Sequence, residues 1–336
     1  MSASTRPPAV TTRGLVKRFG DKAAVDGVDL EIPRGGIYGV LGPNGAGKTT
    51  VIRMLATLLR PDSGSAQVLG HDVFAEPKLI RSKIALTGQF ASLDEDLTGV
   101  ENMILIGRLL GFSSQAARER GMDLLGAFGL SDAAHRQVKK YSGGMRRRLD
   151  IAGSLVVTPE LMFLDEPTTG IDPRSRNQVW EIIRALVEGG TTILLSTQYL
   201  EEADQLADRI AVIDHGKVIA EGTPGQLKAQ VGSGALKVRV VDPGAREQAA
   251  HILSATVGGD VVREKDASAL TVRLQQGAAA SPALVALEEA GLEIDAFALG
   301  QPSLDEVFLA LTGKITEDPD DDESAPAQAA EAEVGP

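Results

Sequence analysis

Cysteine is absent from the 336-residue sequence. That excludes disulfides, zinc ribbons and iron–sulfur clusters, and leaves burial of apolar surface to supply stability. Long apolar runs are absent as well. A membrane-spanning helix needs about 18–20 consecutive apolar residues, and the nearest candidate, 103–112, is interrupted by Gly107 and Arg108. Positive charge is in deficit: 34 lysines and arginines face 46 aspartates and glutamates, a formal net charge of -12. A broad basic face for nucleic acid is therefore not expected. The four histidines, His71, His135, His215 and His251, are scattered and assign no metal site.

The length predicts two folded units, or one large unit with an appendage. Residues 1–12 are polar and lack an apolar core, so a disordered leader is expected there and not a secretory signal. From 13 to about 230, strand-like apolar runs alternate with helical patterns, which predicts an α/β unit with a largely parallel sheet. Strands are expected at Gly36–Leu41, Leu161–Leu164, Thr191–Thr197, Arg209–Asp214 and Lys217–Glu221, with His215-Gly216 as a tight hairpin turn between the last two. A stretch from about Phe90 to Val157 carries helical periodicity and reads as a helical insertion, with Thr98 and Glu101 spaced as a capping box.

After about Gln230 the pattern restarts beyond a linker marked by Gly232 and Gly234. Residues 235–313 read as strand, helix, strand, strand, helix, strand, the split-βαβ or ferredoxin-like order, with Leu304–Leu311 as a closing helix. That helix either packs on the C-terminal sheet or serves assembly. Residues 315–336 collapse to Asp, Glu, Pro and Ala and are expected to be a solvated acidic tail.

Three motifs carry chemistry. The run Gly42, Pro43, Asn44, Gly45, Ala46, Gly47, Lys48, Thr49, followed by Thr50, stands after a strand and opens a helix expected to run to about Leu59. This is a phosphate-binding loop: glycines let backbone N–H groups turn toward phosphate oxygens at a helix N-terminus. Lys48 is expected on the β- and γ-phosphates and the Thr49 hydroxyl on Mg²⁺. The strand Leu161–Leu164 ends in Asp165 and Glu166, a pair suited to hold a metal and to polarise water, or else ordinary acids at a strand end. Ser142, Gly143, Gly144 and Met145 open a helix and offer a second anion site, or Ser142 is simply its N-cap.

With these motifs in this order, the N-terminal two-thirds resembles the nucleotide-binding domain of ABC transporters. The resemblance implies a P-loop NTPase of the ABC ATPase type, with ATP and Mg²⁺ bound. Ser142 to Met145 stand at that family's signature motif, with Met145 where glutamine is commoner. In the family two such domains close head to tail, so a homodimer is implied. Phe19 resembles the aromatic residue that stacks on adenine, though it reads equally as core; Gln89 resembles the glutamine that reaches metal and water; Asp172 resembles the aspartate facing the opposite protomer. Gln198 stands where most members have histidine. Glutamine can bond a γ-phosphate but carries no proton or charge there, so Glu166 is expected as the base and Gln198 as a positioning group.

Gln198, the segment 141–149 and the segment 302–309 together resemble the daunorubicin/doxorubicin-resistance subfamily of drug-export ATPases. The resemblance implies a separate transmembrane permease, a peripheral position on the cytoplasmic face of the membrane, and no direct contact with cargo. Three alternatives stay open: a soluble nucleotide-switched regulatory dimer, an importer subunit, and an exporter of lipid or glycolipid.

Overall fold

The computed structural model describes residues 7–88, 93–231, 234–258, 261–264, 266–274, 280–300 and 303–313. The expected leader up to residue 6, Gln89 and Phe90, the linker residue Gly232, the strand start at Asp260, and the acidic tail lie outside the described residues.

The chain opens with β1 (Val10–Phe19), β2 (Lys22–Ile32), β3 (Gly36–Leu41), α1 (Lys48–Leu55), β4 (Ser63–Val68), β5 (His71–Asp72), α2 (Pro77–Arg81) and β6 (Ile84–Thr87). A helical stretch follows: α3 (Gly99–Leu109), α4 (Ser114–Ala127) and α5 (Gly143–Ser154). Alternation resumes with β7 (Leu161–Asp165), α6 (Pro173–Glu188), β8 (Thr192–Thr197), α7 (Leu200–Leu206), β9 (Arg209–Asp214), β10 (Lys217–Gly222) and α8 (Pro224–Val231). The last part holds β11 (Ala235–Val240), α9 (Arg246–Val257), β12 (Val261–Arg263), β13 (Ala269–Arg273), α10 (Ala280–Glu289), β14 (Ile294–Gly300) and α11 (Leu304–Thr312).

The central sheet has the order β10-β9-β3-β8-β7-β6, parallel throughout except for β10. Its inner strands carry continuous apolar centres, such as Leu161–Leu164 in β7 and Ile193–Leu195 in β8, because both faces are covered. Along β7, Leu161 and Phe163 face one core, shared with α1 and the antiparallel sheet β2-β1-β4-β5. Met162 and Leu164 face the other, shared with α3 to α7. The β9–β10 hairpin turns at His215-Gly216, where both residues take positive φ (47° and 78°), the conformation a two-residue hairpin needs. The Thr98–Glu101 capping box is present at the start of α3.

The third sheet, β12-β13-β11-β14, is antiparallel at every pairing and carries α9 and α10 on one face. Element order and strand order are those of a ferredoxin-like unit.

Two boundaries and one packing partner differ notably from the sequence reading. The leader expected through Thr12 gives way earlier, because Val10 and Thr12 are buried in β1, which pairs with β2 on one side and β4 on the other. The helix after the glycine-rich loop ends at Leu55, not near Leu59, since Thr57 takes a left-handed φ of 62°. The closing helix α11 does not pack on the C-terminal sheet. It buries Leu304, Val307 and Phe308 in the core of the larger unit, beside Leu200, Ala203 and Leu206 of α7 and Leu227 of α8.

Truncating Phe308 to Ala is therefore expected to weaken that docking by about 3–5 kcal/mol, as for a buried aromatic side chain. Hydrogen exchange should show α11 and α7 losing protection while β3 and β8 keep theirs; unchanged protection in α11 would show that Phe308 does not hold it.

Candidate functional site

In-register parallel pairing sets Leu41 of β3 opposite Thr197 of β8, and Asp165 of β7 opposite Ser196 of β8. Three strands thus end on one line, and the chain leaving each carries polar residues. The loop Gly42, Pro43, Asn44, Gly45, Ala46, Gly47 leaves β3, with the Gly42 N–H donating to the Thr197 carbonyl at 3.2 Å. Gly47, the residue before α1, has φ 110°, and a Cβ there would run into the Ala24 carbonyl oxygen of β2. Only glycine fits that conformation and that approach. Lys48, Thr49 and Thr50 form the first turn of α1, so the helix N-terminus lies at the strand ends.

Lys48 is buried, 3% exposed. Its ammonium donates to the carbonyls of Gly42 (2.7 Å) and Pro43 (3.1 Å) and stands 3.3 Å from Glu166 Oε1. An ammonium has three donors, so a phosphate oxygen arriving there must replace one of these acceptors. Burial pushes Lys48 below its ordinary value, with the Glu166 carboxylate opposing the shift. Asp165, also buried, accepts from the Ser196 hydroxyl and from the Thr49 hydroxyl, the latter at 3.1 Å.

Glu166 has φ 48°, a left-handed conformation unusual for a side chain of its size. Such a conformation costs about 1–3 kcal/mol and persists where neighbours over-determine it. Here its N–H donates to the Ser196 carbonyl and hydroxyl, at 3.1 and 3.2 Å. The strained backbone turns the Glu166 side chain toward Lys48 at the strand edge.

The remaining predicted residues sit elsewhere. Ser142 caps α5, its hydroxyl accepting from the Met145 N–H at 3.3 Å. Gly143 and Gly144 begin that helix, and a Cβ on Gly144 would collide with the side chain of Ser175 in α6. Asp172 caps α6, taking both the N–H (2.9 Å) and the hydroxyl (2.6 Å) of Ser175, which hold its carboxyl below the usual range. The starts of α5 and α6 are thereby packed on each other. Gln198 follows β8 and is half-buried. Phe19 ends β1 with 54% of its surface exposed, and the Lys17 ammonium lies 5.7 Å from its ring centre. Gln89 lies outside the described residues.

Three residues at this edge were not anticipated. Ser196 anchors both Asp165 and Glu166. Arg147, in α5, is buried and directs its guanidinium at the carbonyls of Gly88, Asp165 and Pro167. Glu202, in α7, is fully buried and accepts from Thr168 Oγ1 (2.8 Å) and Trp180 Nε1 (3.1 Å). Burial pushes the Glu202 carboxyl up, against the hydrogen bonds and the Arg147 charge that favour ionisation. A signal for Arg147 existed: it falls three residues after Gly144 and four before Ile151, both on the buried side of α5. Glu202 stands four residues before the buried Leu206.

Comparison with known proteins gives a consistent set of matches. Residues 25–169 match the ABC transporter family, and residues 222–312 match the C-terminal domain of DrrA1-3-like ATP-binding proteins. The chain is 59% identical over 323 residues to the daunorubicin/doxorubicin resistance ATP-binding protein DrrA of Streptomyces peucetius, covering 96% of this chain and 98% of that protein. It is 38% identical over 311 residues to the Nod factor export ATP-binding protein I of Burkholderia orbicola, covering 91% and 97%. Among solved structures it resembles an ATP-binding subunit of an ABC transporter at TM-score 0.59 and 27% identity, covering 66% of this chain and 92% of that one.

The raised Glu202 carboxyl has a consequence for stability. A folded state that holds a carboxyl above its unfolded value binds protons more tightly than the unfolded state, so this group's contribution is full at low pH and falls as pH rises above about 4.3, the unperturbed glutamate value. Glu202→Gln should remove that component: the difference in denaturation midpoint between wild type and variant should drift in the variant's favour as pH is raised. A difference constant with pH would show Glu202 to be unperturbed.

Proposed function

We infer the function from one premise: the chain belongs to the ATP-binding proteins of ABC transporters, in the group that carries a DrrA-like C-terminal domain. It binds nucleotide and hydrolyses ATP, and that hydrolysis powers export of a drug or other amphipathic small molecule through a separate permease. The observation that supports this most is the convergence of Lys48, Thr49, Asp165 and Glu166 at one sheet edge. Among the described residues no helix is long and apolar enough to cross a membrane, which fits a division of labour between this chain and a permease.

In this reading Phe19 stacks on adenine, and backbone N–H groups of the loop beyond Pro43 hold the phosphates with those of Lys48 to Thr50. Lys48 takes the β- and γ-phosphate charge. Glu166 accepts the proton of the attacking water, and Gln198 orients the γ-phosphate by hydrogen bonds without titrating. The Thr49 hydroxyl and the Asp165 carboxylate, 3.1 Å apart, are hard oxygen donors of the kind Mg²⁺ takes. They would hold the ion with Gln89, and bound there it would neutralise charge developing on the phosphates.

Within one chain, Ser142 is engaged with its own helix and Asp172 with Ser175. The exposed start of α5 is free to meet a second nucleotide, so we assign the working form as a head-to-tail homodimer. In it Ser142, Gly143, Gly144 and Met145 complete the partner's phosphate site, and Asp172 lies along the dimer boundary. The helical stretch α3–α5 transmits closure to the permease, which places the protein peripherally on the cytoplasmic face. The cargo meets the permease and not this chain, so relatives named for drugs and for Nod factor share one engine.

Glu166→Gln should retain ATP binding, lose at least about a hundredfold in turnover, and form an ATP-dependent dimer resolvable by light scattering. Wild-type turnover would remove Glu166 as the base. A strictly monomeric ATP-loaded variant, even with its permease, would remove the shared site.

A further inference from the structure

Residues 146–148 are three consecutive arginines, and of these only Arg147 is buried. Its Nε donates to the Pro167 carbonyl at 2.8 Å. One terminal nitrogen reaches the Gly88 carbonyl at 2.7 Å and Asp150 Oδ2 at 3.4 Å; the other reaches the Asp165 carbonyl at 3.4 Å. Two of these three carbonyls, those of Asp165 and Pro167, flank Glu166 in sequence on either side. The third, that of Gly88, directly follows β6 and precedes Gln89 in sequence. From the other side the same segment is held by Glu202, through the Thr168 hydroxyl. The left-handed Glu166 is therefore bracketed by groups that fix the backbone immediately before and after it.

A buried guanidinium is costly to desolvate, and an ion pair such as Arg147–Asp150 offsets that cost only in part. Seating α5 does not require it, because Leu149, Ile151 and Ala152 of the same helix are already fully buried in the core. What the guanidinium adds is a rigid fork of donors that one planar group alone can aim at several carbonyls. The fork stands five residues from Ser142 on a single helix, about 7.5 Å along its axis at about 1.5 Å per residue. A displacement at the start of α5 thus reaches the Glu166 backbone through one rigid element.

We propose that Arg147 is a positioning residue for ATP hydrolysis, tying the helix that starts at Ser142 to the backbone on both sides of Glu166. The carboxylate is then presented to the γ-phosphate when α5 is seated, and seating α5 in one protomer prepares that protomer's own Glu166. This rests on the reading of Glu166 as the base and of Ser142 as a contact across the dimer.

Arg147→Lys keeps the charge beside Asp150 and removes the fork. In the full chain with its permease, the KM for ATP should stay within about twofold while kcat falls about tenfold to a hundredfold, the scale of a small misplacement of a reacting group. The same substitution is then made on Glu166→Gln. If Arg147 acts through Glu166, the residual single-turnover rate should change by less than about twofold in that background. An unchanged kcat in Arg147→Lys would overturn the proposal, and so would an equal fold-loss in both backgrounds. Arg147→Gln, which keeps two N–H donors without the charge, is read through the same cycle if the lysine variant fails to fold. Undiminished turnover in Glu166→Gln alone would sink the assignment of the base, an outcome distinct from either result for Arg147.

Discussion

Parallel pairing of β3, β8 and β7 in register brings the carboxyl ends of three strands to one edge of the sheet, and the site is assembled from what leaves them. The loop from Gly42 departs after Leu41, Asp165 ends β7 with Glu166 directly after it, and Gln198 follows Thr197. None of these groups is near another in sequence. A slip of one residue in β7 against β8 would turn Asp165 away from Ser196 and send Leu164, now in the core, toward the polar edge. The buried alternation of β7, with Leu161 and Phe163 on one face and Met162 and Leu164 on the other, is what forbids the slip. Core packing and chemical geometry are here one constraint.

This explains which parts of the molecule could be read from the sequence. The phosphate loop needs particular residues at fixed local spacing, since Gly47 must pass the Ala24 carbonyl and Lys48 must start a helix, so it survives as a written motif. Asp165 and Glu166 announce themselves because a fully apolar strand ends abruptly in two acids. The ferredoxin-like unit was legible from the order of its strands and helices. Arg147 and Glu202 were not legible in the same way. Each stands in a polar cluster, three arginines in one case and two glutamates in the other, and composition reads such clusters as solvated. Helical spacing from Gly144 only hints at Arg147; packing is what buries it while Arg146 and Arg148 stay half-buried, and what buries Glu202 while Glu201 stays exposed. The docking of α11 was hidden for a related reason: an amphipathic helix declares that it has an apolar face, not which surface receives it.

The docking of α11 also changes how the C-terminal part is to be understood. Its sheet has a core of its own, formed by β11, β13, α9 and α10. The helix that follows the sheet returns to cover α7, the helix that leads away from Gln198 and carries Glu202. Cutting the chain after α8 would uncover Leu200, Ala203 and Leu206 as well as deleting the sheet. Loss of activity in such a truncation would speak about α7 as much as about the C-terminal unit.

The indole that bonds Glu202 belongs to the chain's single tryptophan, Trp180, whose ring also lies 5.2 Å from the Arg176 guanidinium carbon. The chain therefore carries one indole fluorophore, linked at its nitrogen through Glu202 to Thr168 in the segment beside Glu166. Its emission offers a label-free optical readout of that segment's rearrangement, recorded from one known position and uncontaminated by any other indole in the polypeptide.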